Sequence, residues 1–165
     1  MEYKGIAFFD VDGVLADCKH RLRFNDEKDY DSFYSDENIL LDSRIDAGIN
    51  LLENFNSLGY KIVLITNRRE SCREATMEWL RRYFYIYVDS EDLYLRPDDD
   101  HRKSWEVKRD LVNKAINHNK ETFEYGMNYF VDDYPANCKM VEESFKGIKP
   151  IIFGCGRLNE EKKGE

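Results

Sequence analysis

The stretch Ile6-Ala7-Phe8-Phe9-Asp10-Val11-Asp12-Gly13-Val14-Leu15-Ala16-Asp17 constrains the chain more than any other. Ile6 to Phe9 are apolar on both faces, as in a strand buried within a parallel sheet. Such a strand cannot carry carboxylates along its length, so Asp10 and Asp12 belong at its carboxyl end, where solvent begins. Strand side chains alternate, so two residues spaced by one point the same way while the backbone stays extended. Gly13 then lets the chain bend away. Paired carboxylates at a strand end suit metal-assisted phosphoryl transfer, one attacking phosphorus and the other moving a proton.

With 165 residues, 42% hydrophobic and 35% charged, the sequence reads as one soluble domain over its whole length. No apolar run approaches the ~20 residues that cross a bilayer. The opening Met-Glu-Tyr-Lys does not resemble a signal peptide, so a cytoplasmic location is expected. A net charge of -8 argues against an extended grip on nucleic acid, while leaving room for a local pocket that takes a strand end. Cys18, Cys72, Cys138 and Cys155 are scattered, without the paired spacing of a zinc site.

Apolar runs then alternate with helical periodicity. Residues 17–42 form a polar connection, long enough to be a small flap over the strand ends, and hold the basic pair His20 and Arg21. That pair either meets substrate or neutralises nearby acids. Ser43-x-x-Asp46 resembles a capping box before a helix carrying Ile45, Ile49, Leu52 and Phe55. Tyr60 to Ile65 predicts a second buried strand, followed at once by Thr66-Asn67-Arg68. A short strand is expected at 92–95, a helix from about Ser104 with Lys108 off its apolar stripe, and a strand over Met127–Val131 ending in Asp132-Asp133. Pro135 opens another helix, Ile148–Phe153 reads as the last strand, and 157–165 as a frayed charged tail.

This alternation predicts an α/β fold: a three-layer, doubly wound parallel sheet with a minimal cap. Ligands of such sheets bind beyond the carboxyl ends of the strands, and three strands here end in polar residues. Acids converging on one edge repel, by about 4 kcal/mol for a pair 4 Å apart at an effective dielectric near 20. A cation is therefore expected among them, and Mg2+ suits carboxylate oxygens plus phosphate. In this reading Asp10 and Asp132 bind Mg2+ directly, Asp12 adds its backbone carbonyl, and Asp133 supports the ion through water or orients Asp132. Asp10 is the nucleophile, Asp12 the general acid and base, and Thr66 and Lys108 hold the phosphoryl oxygens. Asn67, Arg68, His20 and Arg21 are candidate substrate contacts.

The hydrophobic-Asp10-x-Asp12-Gly-x-Leu run resembles the first motif of the haloacid-dehalogenase-like (HAD) phosphatases. Ile-Val-Leu-Ile-Thr66, Lys108 and Phe-Val-Asp132-Asp133 look like the remaining three, in order, over most of the chain. Within that superfamily the Arg68 position, the Leu-Arg-Pro97-Asp-x-Asp-x-Arg102 segment and Val107-Lys108-Arg109 resemble the phosphatase domain of phage-type polynucleotide kinase/3′-phosphatases. That family carries an acidic residue where this chain has Ser104-Trp105. The resemblance implies a Rossmann-like fold and an aspartyl-phosphate route. It implies a phosphorylated nucleic-acid end or small molecule as partner, without a membrane. A 5′(3′)-deoxyribonucleotidase shares the first motif and is the rival enzyme. A non-catalytic module of the same fold would be marked by loss of Asp10 or Asp12, and both are present. No phosphate-binding kinase loop of the Gly-x-x-x-x-Gly-Lys-[Ser/Thr] kind occurs.

Overall fold

A computed structural model describes residues 3–154. Cys155 and the expected 157–165 tail lie outside the described residues. In chain order the elements are β1 (Ile6–Phe9), β2 (Ala16–Asp17), a 3-10 turn (Lys19–Arg21), α1 (Leu22–Asp26), α2 (Tyr30–Phe33), α3 (Asp36–Leu40), β3 (Ser43–Arg44) and α4 (Asp46–Ser57). Then come β4 (Lys61–Arg69), α5 (Arg73–Tyr83), β5 (Leu93–Arg96), α6 (Ser104–His118), α7 (Lys120–Tyr125), β6 (Asn128–Asp132), α8 (Pro135–Ser144) and β7 (Ile148–Ile152). Five strands form one parallel sheet in the order β5-β4-β1-β6-β7. The fold is the expected α/β three-layer arrangement.

Strand alternation sorts the core into the two outer layers. Ala7, Phe9, Ile62 and Leu64 point to one face and pack with Ile49 and Leu52 of α4 and Trp79 and Leu80 of α5. Ile6, Phe8, Val63 and Ile65 point to the other, against Val107 and Val112 of α6 and Met140 and Val141 of α8. Each such side chain, fully buried, stabilises the fold by about 1.5–3 kcal/mol. β1 is central, so both of its faces are covered, which explains why its sequence shows no polar alternation.

The flap is more ordered than its polarity suggests. Ser43 does not cap α4, as the sequence pattern had it. It pairs in β3 with Asp17, and Arg44 with Ala16, an antiparallel ribbon that closes the base of residues 18–42. Ile45 is the extended residue before α4, and its amide donates to the Leu15 carbonyl at 2.8 Å. Inside the flap α1, α2 and α3 are single turns, the last two capped locally: Asp29 accepts from the Ser32 amide and Ser35 from that of Asn38. Turns this short carry no amphipathic period, so pattern reading could not find them. Ile39 of α3 docks on Cys72 and Ala75 beside α5, fixing the flap to the sheet's helical layer.

β4 runs further than expected, through Thr66, Asn67 and Arg68 to Arg69, with a register shift against β5. The candidate residues therefore hang from a strand rather than from a loop. α4 crosses the turn after β1 so closely that a Cβ on Gly48 would sit 1.7 Å from the Val14 carbonyl oxygen. Gly48→Ala should cost at least about 3 kcal/mol, because a backbone carbonyl cannot yield as a side chain can. Urea unfolding measures it, and a loss under about 1 kcal/mol would show that α4 can lift off this turn.

Candidate active site

The register sets the site. Phe9 lies beside Leu64 on one side and Val131 on the other, so one step further brings Asp10 level with Asp132. The Asp10 amide still donates to the Val131 carbonyl at 2.9 Å. Lys108 comes from the second turn of α6 and is buried between them. Its Nζ is 2.8 Å from Asp10 Oδ1 and 2.5 Å from Asp132 Oδ2. Burial opposes a charged lysine, but these two carboxylates outweigh it and hold the ammonium above its ordinary range. Burial pushes the Asp10 carboxyl up, Lys108 pulls it back, and Asp132 and Asp133 add to the rise. Asp10 Oδ1 also accepts from the Val11 amide at 2.8 Å.

Side-chain oxygens of Asp10, Asp132 and Asp133 lie within 4.8 Å of one another. Three hard anionic oxygens that close suit a divalent cation of the magnesium type. The backbone is shaped for it: Gly13 has φ +87°, and a Cβ there would fall 2.1 Å from Asp133 Oδ2. Only glycine lets Asp133 lean towards Asp10. The two neighbouring acids differ in their surroundings. Asp132 is wholly buried and already accepts from Lys108, from the Tyr134 amide at 2.9 Å, and from Asn137 Nδ2 at 3.1 Å. Asp133 lines the cavity.

Asp12 faces away from that cluster. Its Oδ1 accepts from Arg68 Nη2 at 2.7 Å and Arg21 Nη2 at 2.8 Å, and Arg68 Nε reaches both carboxylate oxygens at 3.2 Å. Behind it Asp42, fully buried, accepts from Arg21 Nε and Nη2, from Arg68 Nη2 at 2.7 Å, and from His20 Nε2 at 2.8 Å. Burial raises the Asp12 carboxyl, but Arg68 and Arg21 overcome that and hold it well below the usual carboxylate range. Arg21, Arg68 and His20, expected as substrate contacts or partners of nearby acids, are engaged with acids here. Both arginines are fully buried.

Thr66 is buried at the cavity wall, and its Oγ1 accepts from the Arg68 amide at 3.2 Å. Asn67 donates to Ser104 Oγ at 2.5 Å, Ser104 to Asn137 Oδ1 at 3.1 Å, and Asn137 to Asp132. Ser104, which sequence comparison marked only as a missing acid, thus links β4 to α8. The cavity holding Asp10, Asp12, Thr66, Lys108 and Asp133 is about 360 Å³, walled on the flap side by Leu22, Asn25 and Phe33. A larger one, about 660 Å³, runs along edge strand β5 and contains none of these acids. Asp42 and Asn137 escaped the sequence reading, and Arg96 entered it only within the Leu-Arg-Pro97 segment. Asp42 is the last residue before β3 and joins the site only through tertiary contacts, including Trp79 Nε1 donating to its carbonyl at 2.8 Å.

Carboxylates gathered around one lysine at the carboxyl edge of a parallel sheet place the protein among the HAD-superfamily phosphatases. The family described as the polynucleotide kinase PNKP phosphatase domain matches residues 4–149, and the chain belongs to it. Among solved structures it is similar to a chain of the Pnkp1/Rnl/Hen1 RNA repair complex, at 21% identity and a TM-score of 0.69, over 93% of this chain and 44% of that one. The class C acid phosphatase from Bacillus anthracis aligns at 22% and 0.59, over 93% and 67%. The HAD enzyme bt-2542 from Bacteroides thetaiotaomicron, solved with magnesium and inorganic phosphate, aligns at 17% and 0.52, over 92% and 95%. At these identities the likeness is one of fold. The chain spans less than half the length of the RNA-repair chain. No curated protein matches the sequence. No helix among the described residues is long and apolar enough to cross a membrane.

Asp42→Asn removes one of two counter-charges from a buried pair of arginines. It should destabilise the protein by about 3–5 kcal/mol in urea unfolding. A loss below about 1 kcal/mol would show that Asp12 alone suffices for both.

Proposed function

We propose that the chain is a Mg2+-dependent phosphomonoesterase that forms an aspartyl-phosphate on Asp10 and acts on 3′-phosphorylated polynucleotide ends. The observation that carries this reading is the convergence of Asp10, Thr66, Lys108 and Asp133 on one cavity at the sheet edge. Asp10 Oδ1 is held by Lys108 and the Val11 amide, so Oδ2 is the attacking oxygen. The Thr66 hydroxyl and the Lys108 ammonium steady the phosphoryl oxygens as the bond to the leaving group breaks. When bound, the metal would supply Lewis-acid charge at the phosphoryl group, held by Asp10, Asp132 and Asp133 with the Asp12 carbonyl. Asp132 also accepts from Lys108 and Asn137, which fixes its orientation.

Asp12 serves the second half. Its arginine-held carboxylate is ionised at neutral pH and takes the proton of the water that opens the aspartyl-phosphate. With a polynucleotide 3′-phosphate, a neutral Asp12 gives its proton to the departing 3′-oxygen and so reaches the ionised form that the arginines favour, ready to take a proton back from water. A leaving group such as p-nitrophenolate needs no proton. Asp10→Asn should therefore abolish p-nitrophenyl phosphate hydrolysis. Asp12→Asn should release up to one equivalent of p-nitrophenol and then stall. Steady turnover by Asp10→Asn would exclude it as nucleophile.

The polynucleotide preference is supported by the family to which the chain belongs and by a flap of single helical turns that leaves the cavity mouth open. The rival nucleotidase reading predicts the opposite ranking of substrates. Rates on a 3′-phosphorylated oligonucleotide, nucleoside monophosphates and a sugar phosphate separate the two, with the oligonucleotide expected fastest. Activity should vanish in EDTA and return with Mg2+. Faster turnover of free nucleoside monophosphates would overturn the substrate assignment, and undiminished activity in chelator would overturn the metal.

A further inference from the structure

Arg96 ends β5 and lines the catalytic cavity next to Asn67. Its Nη1 donates to the backbone carbonyls of Asp100 at 2.8 Å and Arg102 at 2.9 Å, and its Nη2 to Asn67 Oδ1 at 2.9 Å. None of these acceptors is charged. The Nε–H is sealed from solvent and meets no acceptor among the described residues. The nearby acid, Asp100, gives its carboxylate to Arg102 at 2.6 Å. Burial weighs most against the Arg96 charge; Tyr34 and Asp100 favour it from a distance, and Arg102 and Arg69 push against it. Arg21 and Arg68, at the same sheet edge, are each paired with two carboxylates. Arg96 is a half-buried cation at the catalytic cavity that forms no ion pair among the described residues, in a chain of net charge -8.

A guanidinium held in this way is stabilised when an anion arrives, and its planar fork suits phosphate. The scissile phosphate does not supply that anion, because Lys108 and Thr66 already receive it in the reading above. Thr66 pairs with Leu95 and Arg69 with Arg96, so Arg96 lies further along the sheet edge than Thr66, where it holds Asn67.

We propose that Arg96 binds a second phosphate of the substrate, one nucleoside away from the scissile one, and thereby selects nucleic-acid ends over simple monoesters. This rests on the phosphomonoesterase reading and deepens it. The second phosphate is either an internucleotide diester or the 5′-phosphate of a nucleoside bisphosphate, and the test separates them.

The test compares kcat/KM within one protein for matched substrates. A 3′-phosphorylated dinucleotide with an ordinary phosphodiester is set against one with a neutral methylphosphonate linkage. A nucleoside 3′,5′-bisphosphate is set against the 3′-monophosphate. The unmodified protein should favour the charged dinucleotide about tenfold, the size of one charge-assisted contact. In Arg96→Gln the ratio should fall to near 1, and Arg96→Lys should lie between. Because each ratio is internal, a general loss of activity or stability cancels. A preference seen only with the bisphosphate supports the site and names the terminal phosphate as its source. Equal rates in the unmodified protein, for which no variant has to fold, overturn the inference, as does a ratio that survives Arg96→Gln. If p-nitrophenyl phosphate is hydrolysed but neither dinucleotide is, both the substrate assignment and this inference fall.

Discussion

The alternating set Asp12–Arg68–Asp42–Arg21 holds the two halves of the molecule together. Two guanidinium and two carboxylate groups share short contacts at 2.7–2.8 Å in a nearly solvent-free interior. Taking each ion out of water costs several kcal/mol, so such a set survives only with matched charge and satisfied donors. Both conditions hold. Arg68 also donates to Thr76 Oγ1, and Arg21 to the Phe33 carbonyl while stacking 4.6 Å over the Phe33 ring. Arg68 belongs to the sheet, Asp12 to the turn after β1, and Arg21 and Asp42 to the two ends of the flap. Removing any one leaves its partners charged and buried.

It follows that the flap is not a loosely hinged lid. The β2–β3 ribbon closes its base, Arg21 and Asp42 pin its ends, and Ile39 with Cys72 seats its middle on α5. Cys72 Sγ donates to the Tyr34 carbonyl at 3.1 Å, and burial raises its thiol above the usual range. This is packing chemistry rather than nucleophile chemistry. The cavity wall that the flap supplies is therefore set by the same contacts that hold Asp12 ionised. In the proposed reaction this would link the shape of the substrate site to the protonation of Asp12.

What was legible in the sequence was whatever depends on local pattern. Buried parallel strands announce themselves as apolar runs, and their carboxyl ends as abrupt acids, so β1, β4, β6 and the positions of Asp10, Thr66 and Asp132 could be read directly. Lys108 needed the family resemblance, because on helical periodicity it lies off the apolar stripe, and only convergence with Asp10 and Asp132 buries it. Arg21 and Arg68 were noticed as basic residues near the site, but whether they face acids or substrate depends on Asp42, an ordinary-looking acid contributed from the far end of the flap. Ser104 and Asn137 were silent for the same reason: each lies on a helix's first turn and acquires meaning only through the chain from Asn67 to Asp132.

The two acid clusters at the edge differ in a way that assigns their chemistry. Around Asp12 and Asp42, two acids meet two arginines and the formal charge is zero. Around Lys108, Asp10 and Asp132 share one ammonium, and Asp133 stands within 4.8 Å of both. At a separation near 4 Å a like-charge pair costs about 4 kcal/mol at an effective dielectric of 20, and burial with the neighbouring acids drives the Asp10 carboxyl upward while Lys108 pulls it back. A divalent cation among these oxygens would favour the ionised Asp10 that the proposed nucleophilic role needs. In the proposed reaction the arginine-held carboxylate of Asp12 handles protons while Asp10 carries the phosphoryl group, and that division follows the placement of the arginines and of Lys108.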